Sequence, residues 1–80
     1  MTTITVLYFA SLRDVAGMPS EVVETDATDL RGLYGELQSR HGFALAVDRL
    51  RVAVDGAFVN WTDVVCSGNE VAFIPPVSGG

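Results

Sequence analysis

The chain has 80 residues, of which 49% are hydrophobic, and a net charge of −5 with a pI near 4.4. This length excludes a second domain, and the five arginines form no basic stripe, which argues against nucleic-acid binding. The apolar runs are too short to span a bilayer, and the chain opens without a secretory leader and holds one cysteine, Cys66. We therefore expect a cytoplasmic protein without a membrane segment.

The first three predicted elements are a strand, a helical turn and a second strand. Residues 4–10 (ITVLYFA) form a continuous apolar run, typical of a central strand buried on both faces. Residues 11–16 (SLRDVA) precede Gly17 and Pro19, which predicts one short helical turn. Residues 21–24 (EVVE) lie between turn-forming residues and predict a second, short strand.

The principal helix is predicted to follow Thr28 as N-cap, with Asp29 in its first turn, and to end at Gly42. Its apolar residues recur at helical spacing: Leu30, Leu33, Tyr34 and Leu37. Gly32 and Gly35 each cost about 1 kcal/mol relative to alanine inside a helix. They indicate either close packing against the sheet or simple tolerance. Residues 43–48 are predicted to be a connection with a possible helical turn.

The second half of the chain predicts a hairpin and a last strand. Residues 50–54 and 57–61 flank Asp55-Gly56, a dipeptide that suits a type I′ turn. A turn at residues 67–69 precedes the last strand, at residues 71–74. The order favours an α+β fold of the β-grasp type, a mixed sheet packed on one principal helix. A ferredoxin-like fold would need a second full helix.

The carboxyl-terminal end is predicted to be a flexible Gly-Gly tail, residues 76–80, on a domain of residues 1–75. Two prolines, Pro75 and Pro76, lack the N–H groups that a strand ladder needs, and an extended chain of five residues after Pro75 reaches about 16–18 Å. The residues expected to enter a partner's active site are Pro76, Val77, Ser78, Gly79 and Gly80. Glycines would pass a narrow channel and leave the terminal carbonyl open to attack. A frayed end without a role is the alternative.

The two ends of the chain together resemble a known family. Its opening motif is matched by Phe9, Ala10, Arg13 and Gly17, and its ending by Pro75, Pro76, Gly79 and Gly80. The sequence is thereby similar to the small subunits of molybdopterin synthases, sulfur carriers of the ubiquitin-like β-grasp class. The turn Ser67-Gly68-Asn69-Glu70 and Asp55 depart from the family pattern, which puts turn detail in doubt and leaves the tail unaffected.

The resemblance implies a sulfur-transfer cycle at Gly80. A ubiquitin-activating-like adenylyltransferase would use ATP and Mg to adenylate the carboxylate, and a persulfide donor would convert it to a thiocarboxylate. Gly80 would then donate sulfur to cyclic pyranopterin monophosphate inside a large catalytic subunit, in a heterotetramer. The chain itself would bind no cofactor, and the catalytic side chains would lie on the large subunit.

Several other residues are candidates for partner contacts or chemistry. By the resemblance, Phe9, Phe58 and Ile74 are expected at the large subunit, with a core role as the alternative, and Arg13 either pairs across that interface or is solvated. Cys66 and His41 are interpreted as structural, and no residue cluster indicates a metal. The excess of acidic residues serves either to keep the chain soluble or to steer it toward basic patches on its partner proteins.

Three alternative functions stay open. The first is a sulfur carrier for thiamine, tRNA thiolation or cysteine synthesis. The second is a ubiquitin-like protein modifier, joined through Gly80 to a target lysine. The third is a passive interaction module, in which the last two residues have no function.

Overall fold

The structure, a computed structural model, describes residues 2–76. Two helices and five strands follow in the order β, α, β, α, β, β, β, with a 3₁₀ turn before the third strand. The elements are β1 Thr2–Tyr8, α1 Ala10–Ala16, β2 Ser20–Thr25, α2 Leu30–His41, the 3₁₀ turn Val47–Arg49, β3 Arg51–Val54, β4 Ala57–Phe58 and β5 Glu70–Ile74. The predicted α+β fold with one principal helix is confirmed.

The five strands form one mixed sheet in the order β2-β1-β5-β3-β4. The central strands β1 and β5 are parallel, with Val6 opposite Val71, and every other pair is antiparallel. Two parallel neighbouring strands need a long connection, and here the chain from α1 to β4 connects the end of β1 to the start of β5. The amino-terminal and carboxyl-terminal strands thus meet at the centre of the sheet.

The core lies between α2 and one face of the sheet, which we call the inner face. The ring of Tyr34 on α2 packs edge-on against Phe73 of β5, with ring centroids 5.2 Å apart. Alternate strand residues point toward the helix and are almost fully buried: Ile4, Val6, Tyr8, Val23, Val52, Val71 and Phe73. The apolar residues predicted on the helix, Leu30, Leu33, Tyr34 and Leu37, are all buried there.

The N-cap of α2 is Asp29, and the prediction of Thr28 was wrong by one residue. Asp29 has extended backbone angles, and its carboxylate accepts a hydrogen bond of 2.8 Å from the N–H of Gly32. The Thr28 carbonyl accepts from the N–H of Val65, and Asp29 bridges Val64. The chain therefore stays extended through Asp29, and the helix begins one residue later.

The two helix glycines do not pack closely against the sheet. A Cβ added at Gly35 would meet no atom within 4 Å. One added at Gly32 would lie 3.2 Å from the Asp29 carboxylate oxygen and 3.4 Å from the Ala27 Cβ, both at the start of the helix. Gly35 is therefore simply tolerated in the helix, whereas the missing side chain at Gly32 leaves room for the capping carboxylate of Asp29.

Strand ends differ from the predictions by one to three residues. The first strand ends at Tyr8 because the carbonyl of Phe9 already accepts from the N–H of Leu12, at 3.1 Å, which starts α1. The type I′ turn at Asp55 and Gly56 is confirmed by their positive φ angles of 50° and 89°. The fourth strand ends at Phe58, short of Trp61, whose indole stacks on the ring of Phe73.

The helices among residues 2–76 are too short to cross a membrane. The predicted boundary at residue 75 stays a prediction, since residues 77–80 of the predicted tail lie outside the described residues.

Candidate functional site

The face of the sheet turned away from α2, which we call the outer face, carries a row of apolar side chains. The strand register places Leu7 opposite Ala72, Ala72 opposite Ala53, and Ala53 opposite Phe58. Directly opposed residues in neighbouring strands point to the same side of a sheet. The row therefore crosses four strands, from β1 to β4, without a charged residue.

A second row lies at the end of the sheet where β5 finishes. Ile74 is opposite Arg51, and Phe9 comes one residue after Tyr8, which is opposite Phe73. Phe58 is 62% exposed and Phe9 is 44% exposed, although large apolar side chains are usually buried. The structure thus brings the predicted interface residues Phe9, Phe58 and Ile74 to one face, with Phe9 and Ile74 at this end and Phe58 in the central row, beside the groove that Ile74 also lines. Their contact with a partner remains a prediction.

Arg13, the fourth predicted interface residue, lies beside this end on α1. Its backbone N–H donates to the carbonyl of Phe9 at 3.4 Å, and its side chain is exposed. Ala10 between them has a φ of 50°, in the left-handed region that alanine seldom occupies. This backbone turn directs the chain from β1 into α1 and leaves Phe9 at the surface.

Arg51 is a surface residue of the same end that the sequence analysis did not single out. Its guanidinium lies over the ring of Phe58, 5.3 Å from the ring centroid. Two open grooves meet at this pair, one of about 460 Å³ toward Trp61 and one of about 520 Å³ toward Pro76. Arg51 and Ala53 are two residues apart, so on a strand they lie on the same face. The sequence shows this spacing, but it indicates a position on the outer face only once the pairing of β3 with β5 is known.

The tail leaves the sheet at this same end. Pro75 is buried and Pro76 is exposed, and both line the larger groove beside Ile74. The predicted insertion residues Val77, Ser78 and Gly79 and the predicted reactive residue Gly80 lie outside the described residues. The last described residue therefore adjoins the exposed apolar end of the outer face.

A polar cluster lies elsewhere, where β2 meets the end of α2. The Glu21 carboxylate accepts hydrogen bonds from the Tyr8 hydroxyl and from His41 Nε2, the latter at 2.7 Å. Burial, followed by the hydrogen bond to Glu21, raises the pKa of Tyr8 far above its ordinary value. Burial alone raises the pKa of Tyr34. His41 thus ties α2 to the sheet, a contact that the interpretation of His41 as a residue of the last helical turn did not include.

The remaining chemical candidates do not form a site in the described part of the chain. Cys66 is exposed, and its N–H donates to the Asn69 side chain in a turn, at 2.9 Å. Among residues 2–76, no three histidine, cysteine or acidic side chains are grouped as a metal site would need.

A mixed sheet with parallel central strands, wrapped on one principal helix, defines the β-grasp class of ubiquitin-like proteins. Solved structures share it. Putative molybdopterin converting factor subunit 1 from Pyrococcus furiosus has a TM-score of 0.82 and 31% identity, covering 96% of this chain and 100% of that one. SAMP1 from Haloferax volcanii has a TM-score of 0.81 and 26% identity, covering 98% and 99%.

Within this class, the chain belongs to the ThiS family, whose model matches residues 6–80. The Mycobacterium tuberculosis relative is 35% identical over 83 aligned positions, covering 100% of both chains. The Escherichia coli relative is 34% identical over 80 positions, covering 96% of this chain and 99% of its own. Both are named molybdopterin synthase sulfur carrier subunit, so the resemblance inferred from the two end motifs is confirmed.

Proposed function

We propose that this chain is the sulfur carrier subunit of a molybdopterin synthase and that the carboxyl group of Gly80 carries the sulfur. The observation that carries the proposal is the match over the whole chain to relatives with that name. The family match extends through Gly80, and the alignment with the Mycobacterium tuberculosis relative covers all of both chains. The proposal favours molybdopterin synthesis over the other sulfur-carrier pathways.

The loading reaction needs an activated carboxyl group, because a carboxylate resists displacement by a sulfur nucleophile. An adenylyltransferase would transfer AMP from Mg-ATP to the Gly80 carboxylate and release pyrophosphate. The terminal sulfur of a persulfide donor then attacks the acyl carbon and expels AMP, which gives an acyl disulfide. A thiolate cleaves its sulfur–sulfur bond, leaving the thiocarboxylate on Gly80 and a disulfide on the donor side.

The sulfur is delivered inside a second protein, the large subunit. The thiocarboxylate sulfur would attack a carbon of cyclic pyranopterin monophosphate that bears an oxygen substituent, and the carbon–oxygen bond would break as that oxygen leaves with a proton or as phosphate. Water then cleaves the acyl–sulfur bond, which leaves the sulfur on the product and regenerates the Gly80 carboxylate. A dithiolene needs two sulfurs, so two carriers serve each product, and a heterotetramer is the expected assembly. In this proposal, which places the cycle in the cytoplasm, the catalytic side chains and the Mg-ATP site belong to the partners.

In this proposal the chain has two tasks, docking and reach, and its geometry supports both. The outer face offers exposed apolar side chains, Phe9 and Phe58, for contact with the large subunit. Four residues follow Pro76 and span at most about 14 Å when fully extended. Since Pro76 adjoins the second row of the outer face, docking there would bring Gly80 within that distance of the contact surface.

The test is the intact mass of the chain after incubation with the host adenylyltransferase, Mg-ATP and a persulfide donor. We expect a gain equal to replacement of one oxygen by sulfur in the wild-type chain. A variant lacking Gly80 and a variant with one alanine added after Gly80 serve as controls, and neither should gain sulfur or support molybdopterin formation with the large subunit. Both should unfold at the wild-type temperature, because every described core residue is intact.

Sulfur transfer by the alanine-extended variant, without processing, would overturn the proposal. The modifier alternative is retained because SAMP1 from Haloferax volcanii, which is 26% identical to this chain, is by name a small archaeal modifier protein. A modifier predicts an isopeptide between Gly80 and a target lysine. Such a conjugate, without a thiocarboxylate-dependent product, would favour that function.

A further inference from the structure

We propose that Arg51, held over the ring of Phe58, binds a carboxylate of the partner protein that docks on the outer face. The inference rests on the proposed function, since it takes the large subunit as that partner. It adds a specific chemical requirement: the partner presents an aspartate or glutamate side chain where its surface meets the junction of the two grooves.

The first argument is that the Arg51 guanidinium has no ion-pair partner within the described residues. Among residues 2–76, the ion pairs involve Arg40 and His41 with Glu21, and Arg51 has none. Its exposed guanidinium instead lies 5.3 Å from the centroid of the Phe58 ring. A ring contact attracts the cation without using the N–H donors of the guanidinium fork, which remain available for a planar carboxylate.

The second argument is the distribution of charge on the outer face. The central row from Leu7 to Phe58 has no charged residue, and Arg51 lies at the tail end beside Ile74. Glu70 is four residues from Ile74 along β5, so it lies about 13 Å toward the opposite end. Along the outer face a docking partner therefore meets Arg51 at the tail end and a carboxylate at the far end. Asp48 and Arg49 also line the groove toward Pro76, and Asp63 lines the groove toward Trp61, so the partner carboxylate must face the Arg51 guanidinium itself.

The third argument is shape. Arg51 and Phe58 line both grooves, of about 460 and 520 Å³, so the pair forms the ridge between them. A partner that covers the outer face places side chains in these grooves on both sides of the guanidinium and removes water from it. A charge desolvated in this way needs a counter-charge, which makes Arg51 a determinant of partner choice.

The first experiment measures binding of the purified host large subunit to wild-type chain, Arg51→Gln and Arg51→Glu over a range of salt concentrations. We expect about tenfold weaker binding for Arg51→Gln and about hundredfold weaker binding for Arg51→Glu, where two like charges face each other. Added salt should weaken wild-type binding more steeply than Arg51→Gln binding. Arg31→Glu, an exposed charge reversal on α2, is the matched control and should bind like the wild type.

The second experiment identifies the carboxylate. The chain contains no lysine, so Arg51→Lys introduces its only side-chain amine. A carbodiimide joins an amine directly to a carboxylate in contact with it, and mass spectrometry should find the peptide that carries the new lysine linked to an aspartate or glutamate of the large subunit. Arg31→Lys should give no such link.

The outcomes separate the inference from the function on which it rests. If the wild-type chain binds and Arg51→Gln binds equally well at every salt concentration, the inference is overturned and the sulfur carrier proposal stands. If the introduced lysine links to another copy of this chain, the outer face is a self-association surface and the inference is also overturned. If the wild-type chain does not bind the large subunit at all, the proposed function fails and the inference fails with it.

Discussion

The Glu21 carboxylate is the main polar link between the sheet and the end of α2, and Glu21→Gln tests its contribution to stability. The carboxylate accepts from the Tyr8 hydroxyl and from His41 Nε2 at 2.7 Å, and Arg40 lies 4.0 Å from its second oxygen. The side chains of Glu21 and His41 are only 16% and 12% exposed. The glutamine has nearly the same shape but lacks the charge that both donors bind.

The expected loss follows from the strength of hydrogen bonds to charged groups. Each such bond contributes about 1.5–3 kcal/mol, and the amide oxygen of glutamine still accepts one neutral bond, so we expect a net loss of about 2 kcal/mol. In a domain of this size, 1 kcal/mol shifts the melting temperature by about 4–8 °C. Glu21→Gln should therefore melt about 8–16 °C below the wild type at pH 7.

The loss should depend on pH in a defined direction. Burial, the largest single influence, raises the pKa of Glu21, but the hydrogen bonds from Tyr8 and His41 and the nearby positive charges together lower it below the ordinary value. A carboxyl group with a lowered folded pKa stabilises the fold above its unfolded pKa, near 4.3, and this contribution disappears as the pH falls through the folded pKa. In strong acid the wild type also carries a neutral group at position 21, so the difference should close.

Thermal unfolding followed by circular dichroism at pH 7 and at about pH 2 checks both statements. Glu36→Gln is the control, because exposed Glu36 accepts one bond, from Thr25, and its loss should shift the melting temperature far less. Equal melting temperatures for the wild type and Glu21→Gln at pH 7, or a difference that persists unchanged in acid, would refute the reasoning.

Two further predictions concern α2. Gly35→Ala should stabilise the protein by about 0.5–1 kcal/mol, because the added methyl group meets open space and lowers the entropy of the unfolded chain; a lower urea midpoint than the wild type's would contradict this. Asp29→Ala should cost about 1 kcal/mol through loss of the N-cap, whereas Thr28→Ala should change the urea midpoint little; the reverse order would restore Thr28 as the cap.

The elements that the sequence predicted well are those with local signals. The helical spacing from Leu30 to Leu37, the stop at Gly42 and the Asp55-Gly56 turn each involve neighbours in sequence. The wrong predictions concern positions whose conformation depends on contacts with residues distant in sequence. Thr28 and Asp29 are both good capping residues, and the choice between them depends on pairing with residues 63–65.

The candidate functional site shows the same contrast between local signals, which the sequence carries, and distant contacts, which it does not. The end motifs identified the tail and the residues near it, but the grouping of Phe9, Phe58 and Ile74 depends on the register of β1 and β3 on β5, which local sequence does not encode. The Glu21–His41 bond joins residues 20 positions apart on different elements, and no spacing rule indicates it. The role of Arg51 is not indicated by the sequence and follows only from its position over the ring of Phe58.

The topology supports the proposal that one small sheet serves both docking and sulfur delivery. Since β1 and β5 are parallel and adjacent, both finish at the same end, so Phe9 and the start of the tail emerge together. The antiparallel pairing of β3 with β5 brings Arg51 to that end as well, and Phe58 lies beside it in the central row. The inner face, packed on α2, contains nearly all of the buried core, so substitutions on the outer face should change partner binding with little effect on folding. In the proposed function, stability and recognition thus depend on opposite faces of the same five strands.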